Sequence, residues 1–223
     1  IEDHTNLDNN AAHEASLLKL LARNNVTHEN QIVSGKETAF DWGKIYVLAP
    51  TTEDHNRMSD KVSANLDNKE NNNYKKNIKN LVAEKWSVDH VTPENDASIA
   101  FLLHTNDGEN DLFLGDANID TVMTAIDSLK DFEKPLHCKW VKLSHHGSKK
   151  NFKPELLTLV RGENYIFSSN GDCYGHPDKE VAAELIDKTT ATLWFNYLER
   201  GQSMITEQDK IDYPGVMDRI KEI

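Results

Sequence analysis

Leu112-Phe113-Leu114-Gly115-Asp116 and Trp140-Val141-Lys142-Leu143-Ser144-His145-His146-Gly147-Ser148 decide how this chain is read. Each opens as an apolar run of strand length and closes on polar groups that an ordinary strand end does not need. Tyr165-Ile166-Phe167-Ser168-Ser169-Asn170-Gly171 repeats the pattern. Ligands in open α/β sheets sit beyond the carboxyl ends of strands, so the Asp116 carboxylate and the His145 and His146 imidazoles are expected on one edge. Strands are predicted at Ser98–His104, Asp111–Gly115, Cys138–Leu143 and Asn164–Phe167, and their near-continuous apolar character implies burial on both faces. Between the second and third, Ile119, Val122, Met123, Ile126 and Leu129 recur at helical spacing behind Asn118 as N-cap. Further helices are expected from Pro154 and Pro177, then closing strands at Ala191–Tyr197 and Gln202–Ile211. Sheet covered by helices makes the fold class α/β or α+β.

Upstream, Leu17, Leu18, Leu20 and Leu21 mark an amphipathic helix over Ala11–Arg23. Gln31–Ser34, Thr38–Trp42 and Lys44–Ala49 read as short strands punctuated by Gly35, Gly43 and Pro50. Residues 51–80 then turn polar and Asn-rich, which predicts an exposed insertion or mobile loop, with a substrate-facing lid as the alternative. Leu81 to Trp86 is placed to dock its end.

The 223 residues are 38% hydrophobic, enough for the core of one domain, and contain no apolar run long enough to span a bilayer. A net charge of -12 repels polyanions, so any phosphate site must be local. Cys138 and Cys173 lack C-x-x-C spacing and read as reduced thiols. The chain opens at Ile1 without a signal pattern, so a cytoplasmic location is expected, with an upstream targeting segment left open.

Asp116 has two readings, a carboxylate complementing the following helix dipole or a metal ligand. Adjacent side chains on an extended chain face opposite ways, so one of His145 and His146 is expected as a ligand and the other beside it. His176, ahead of Pro177, Asp178 and Lys179, is placed at a helix N-cap, where the dipole favours a neutral imidazole able to bind metal or donate to a phosphate oxygen. Ser148 and Lys149, with Lys150 and Lys153, are candidate phosphate contacts.

Asn95-Asp96-Ala97-Ser98, Leu112-Phe113-Leu114-Gly115-Asp116, Lys142-Leu143-Ser144-His145-His146-Gly147-Ser148 and Tyr174-Gly175-His176-Pro177 occur in an order that resembles the metallo-β-lactamase-fold hydrolases. The likeness is greatest to the metallo-hydrolase domain of ComEC-type DNA-uptake proteins, and it covers about Gly35 to Phe195. It implies an α/β/β/α sandwich, mostly its second half, forming one domain over residues 1–223. It also implies two divalent metal ions, zinc or manganese, held in part by Asp116 and by His145, with His146 as the alternative. His176 falls near the substrate.

The family's H-x-H-x-D-H cluster does not occur in this sequence. The expectation is that it lies upstream of Ile1, on the same gene product or another chain; the alternative is a degenerate member. The resemblance implies a metal-dependent hydrolase of phosphodiester bonds acting on a small molecule or short nucleic acid, with Asp116, His145 and His176 catalytic. Hydrolysis of another ester, a thioester or a lactam on the same fold, or a non-catalytic binding module, are the alternatives.

Overall fold

In the computed structural model, which describes residues 19–26, 32–58, 72–84, 92–171 and 175–223, eight strands form one mixed sheet. They are β1 (Glu37–Phe40), β2 (Gly43–Ala49), β3 (Ala100–Thr105), β4 (Asn110–Phe113), β5 (Leu136–Lys142), β6 (Val160–Phe167), β7 (Thr192–Phe195) and β8 (Ile220–Glu222), side by side in chain order. β1 to β4 pair antiparallel, and β4 to β8 pair parallel. Helices lie between the strands, among them the short α3 (Pro93–Asp96) and α5 (Leu156–Leu159), so the fold is α+β. Among the described residues no helix is long and apolar enough to cross a membrane.

Strand periodicity sets the core. One register row, Tyr46, Leu102, Leu112, Val141, Tyr165, Leu193 and Ile220, crosses from β2 to β8, and every member is buried. The next row, on the opposite face, runs Val47, Phe101, Phe113, Lys142, Ile166 and Trp194, and from Phe101 onward it is half-buried. The expectation of two buried faces is thus corrected. β5 and β6 begin by alternating, with His137, Lys139, Arg161 and Glu163 exposed. Charged residues at every second position leave the first halves of β5 and β6 open on one face.

The helix α4 (Ile119–Ser128) begins where its sequence predicts, with Asn118 Oδ1 accepting from Asp120 N at 2.9 Å. Ile119, Val122 and Ile126 fill its buried face. The strand expected at Gln202–Ile211 is instead two helices, α7 (Leu198–Ser203) and α8 (Glu207–Asp212). Thr206 and Asp209 form a reciprocal capping box, which commits the segment to helix, and the last strand is β8. No strand forms over 32–36, because Ser34 N and Gly35 N turn back to Pro50 O and Val47 O. Residues 19–23 are helical, while 1–18 and Trp86 lie outside the described residues.

The polar stretch 51–80 contains more structure than an exposed loop. It holds α1 (Thr52–Met58) and leads into α2 (Ile78–Ala83), whose Ile78 and Leu81 are buried in the core; residues 59–71 lie outside the described set. α2 lies against α6 (Lys179–Lys188). Their junction is polar and fully buried. Asp209 accepts from Lys179 Nζ at 2.7 Å, from Ile78 N at 2.7 Å and from Thr206 N at 3.0 Å. Burial pushes the Asp209 carboxyl up, but the Lys179 ammonium and the N–H donors outweigh it and hold it below its ordinary value.

Removing one partner of a buried pair strands the other. Asp209→Ala is expected to lower the unfolding free energy by about 3–5 kcal/mol, read by urea denaturation.

Candidate functional site

Parallel pairing brings three strand ends together. Beyond the strands themselves, Leu114 N donates to Lys142 O and Leu143 N donates to Ile166 O, so the loops after β4, β5 and β6 leave the sheet in step. The loop after β4 turns at Gly115, where φ is +52° and a Cβ would collide with Ile99 O. Asp116 N then donates to Ser98 Oγ at 2.9 Å. Asn118 Nδ2 reaches Asp96 Oδ1 at 2.9 Å. The Asn95-to-Ser98 stretch therefore braces the Asp116 turn.

After β5 the backbone coils left-handed. His145, His146 and Gly147 have φ of 43°, 58° and 86°. The premise of an extended chain at His145-His146 does not hold, and the two rings lie 6.0 Å apart between centroids. His145 N donates to Gly115 O at 2.8 Å, which ties this turn to the Asp116 loop. His176 approaches from a third loop, its ring centroid 5.1 Å from that of His145.

Hydrogen bonding selects the ring nitrogens. Asn151 Nδ2 donates to Asp116 O at 2.9 Å and Ala117 O at 3.2 Å, so its Oδ1, 3.1 Å from His145 Nδ1, is an acceptor. His145 Nδ1 therefore carries the proton and Nε2 the lone pair. Asn95 Nδ2 lies 3.2 Å from the same Nδ1, and that amide turned over presents its oxygen. His146 Nδ1 donates to Ser168 O at 2.9 Å, with the same consequence for its Nε2. Imidazoles held in this way are the kind that bind metals. Burial lowers the pKa of His145, with His176 and His146 acting in the same sense against Asp116 and Asn151. Burial also lowers the pKa of Lys142, where the Asp116 charge opposes it.

His176 does not cap α6. The N-cap is Asp178, and His176 Nδ1 lies 3.4 Å from Asp178 Oδ2. Lys149 N donates to that same carboxylate at 2.9 Å, and Asp178 N donates to Gly147 O at 3.0 Å, which joins the His176 and His145 loops. Burial pushes the Asp178 carboxyl up; His176 and Lys149 more than reverse this and hold it below the ordinary value.

The expected phosphate contacts are engaged locally. Ser148 is fully buried and its hydroxyl accepts from Lys150 N at 3.3 Å. Lys149 Nζ pairs with Glu180 at 2.7 Å, and Lys153 Nζ with Asp120 at 2.5 Å. Cys138 is buried and its thiol is pushed up to about 12, chiefly by burial; Cys173 lies outside the described residues. Sequence reasoning missed Asn151, Ser168 and Asp178. Ser168 carried a signal as a hydroxyl at a strand end, and Asp178 as a residue type favoured at a helix N-cap.

Among the described residues no group of three His, Cys, Asp or Glu side chains is placed to hold a metal ion. Asp116, His145 and His146 fit zinc or manganese in donor type, and further ligands would have to come from outside the described residues. No family model matches the chain, and no curated protein or solved structure matches it.

Asn151→Ala removes one partner each from His145 Nδ1, Asp116 O and Ala117 O, and is expected to cost about 1–3 kcal/mol in urea denaturation. Asp178 titrates lower in the folded chain than in the unfolded one, so its contribution is full above the unfolded value and is lost as pH falls through the folded one. The stability gap between the wild type and Asp178→Asn should therefore narrow below about pH 4, measured by thermal denaturation across pH.

Proposed function

We propose that this chain is a metal-dependent hydrolase of phosphodiester bonds, its sheet forming the second half of a metallo-β-lactamase-like α/β/β/α sandwich. The observation that carries this reading is the gathering of His145, His146 and His176 with the Asp116 turn at one sheet edge. The motif resemblance points to the same residues.

Asp116, His145 and His146 would hold zinc or manganese, with the remaining ligands supplied from outside the described residues. A divalent cation there supplies Lewis acidity and an acidified water. Asn151 and Ser168 keep the Nδ1 protons of His145 and His146, so each Nε2 lone pair is presented without a tautomer change. Asp178 orients the His176 ring, which serves to contact a phosphate oxygen. A divalent cation there, with the His176 ring beside it, would make a local anion site in a chain of net charge -12, which suits a nucleotide or short strand better than long nucleic acid.

Turnover of bis(4-nitrophenyl) phosphate by the full chain with manganese or zinc tests this reading. His145→Ala and Asp116→Asn are expected to lower the rate about 100-fold or more while metal content per chain falls. Equal rates in the variants overturn the assignment. Turnover of a lactone, thioester or β-lactam alone moves the activity to that bond, and no bound metal with no turnover marks a binding module.

A further inference from the structure

Side chains distant in sequence hold the carbonyl groups on both sides of His176. Tyr74 Oη donates to Pro177 O at 2.8 Å, and Arg200 Nη2 donates to Gly175 O at 3.0 Å. The two holders are themselves stacked, with the guanidinium carbon of Arg200 4.8 Å from the centroid of the Tyr74 ring. The loop backbone also lies against this pair. Gly171 has φ of +85°, and a Cβ there would overlap the Arg200 guanidinium.

Tyr74 belongs to the polar stretch before α2. Its neighbour Asn73 donates to Glu180 on α6, and Lys179 Nζ donates to Lys76 O at 2.5 Å, so the segment is seated along the start of that helix. Burial holds the Tyr74 phenol above its ordinary value, and the hydroxyl stays a donor. Gly175 and Pro177 are buried, so their carbonyls depend on these two long-range donors, and the donors fix the backbone on both sides of one histidine.

We propose that Tyr74 and Arg200 are positioning residues for His176, clamping the backbone on both sides so that its imidazole is held beside that of His145. The polar stretch thereby becomes part of the site's scaffold. This rests on reading His176 as a substrate contact.

Two conservative variants separate the parts of the clamp. Tyr74→Phe removes the hydrogen bond to Pro177 and keeps the ring beneath Arg200; Arg200→Lys keeps the charge and loses the flat stack. Lys79→Ala, which breaks only the Lys79–Asp212 surface pair on α2, is the control. In proton–carbon spectra of the full chain, both clamp variants are expected to move the His176 Cε1–H signal. The His104 signal should stay at its wild-type value, the thermal midpoint should fall by no more than about 2–4 °C, and Lys79→Ala should move neither ring signal. With a phosphodiester substrate, kcat should fall about tenfold at unchanged KM.

An unmoved His176 signal in both clamp variants, an equal shift in Lys79→Ala, or a rise in KM at constant kcat overturns the proposal. The ring signals need no turnover. A chain that hydrolyses nothing yet shows the shifts overturns the hydrolase reading and leaves the clamp standing.

Discussion

His145, His146 and Gly147 take positive φ in succession, and only the glycine does so without steric cost. Two left-handed imidazole residues cost about 1–2 kcal/mol each, which must be offset by contacts around the turn. Those contacts are specific: His145 N to Gly115 O, Ser148 N to His145 O and Ser144 Oγ to Ala117 O. The glycine is enclosed as well, since a Cβ there would press on the Phe167 ring and on Pro177. Without this coil the chain would leave β5 extended, and the two rings would fall on opposite faces. The gathering of imidazoles depends on it.

Three other elements keep the turn in register with its neighbours. Asn151 spans from the His145 ring to the carbonyls of Asp116 and Ala117, so one amide sets both a tautomer and the spacing of two loops. Asp178 joins the backbone of Lys149 to the His176 loop. Deeper in the molecule, Asp209 locks α6 to α2 and α8 through a charge pair with no solvent access. Such a pair is costly to desolvate and tolerates little displacement once its donors are satisfied, so it favours a single seating of the helix that carries the third loop.

Much of this was legible as pattern. The apolar runs ending in Asp116 and His145 predicted the central strands, because buried strands and polar strand ends leave distinct traces in composition. Asn118 announced α4 through cap chemistry alone. The convergence of Asp116 with His145 and His146 follows from their places at strand ends, whereas His176 joins them only through the motif resemblance; the coil at His145 is not legible, because no local rule assigns left-handed backbone to adjacent histidines. Gln202–Ile211 misled for the opposite reason. Its signal was the Thr206–Asp209 box, a three-residue spacing, and scattered apolar residues there suggested strand alternation. Average polarity over 51–80 hides that Tyr74 and Ile78 carry contacts, while Leu81, placed to dock the end of that stretch, is buried. Asn151 also reaches Asp116 across 35 residues and Asp178 reaches Lys149 across 29, and no spacing encodes those contacts.

The Asp209 anchor also imposes an order of assembly in time. Ile78 waits for its acceptor across 131 residues, and Lys76 for its partner Lys179 across 103. During synthesis the strands from β2 to β6 can pair as they emerge, since each lies beside its predecessor. The polar segment before α2 has no buried carboxylate to close on until residue 209 has been made. The histidine-bearing edge is thus finished last, and a chain interrupted before α8 retains the strands that carry Asp116 and His145 but lacks the lock that seats the third loop.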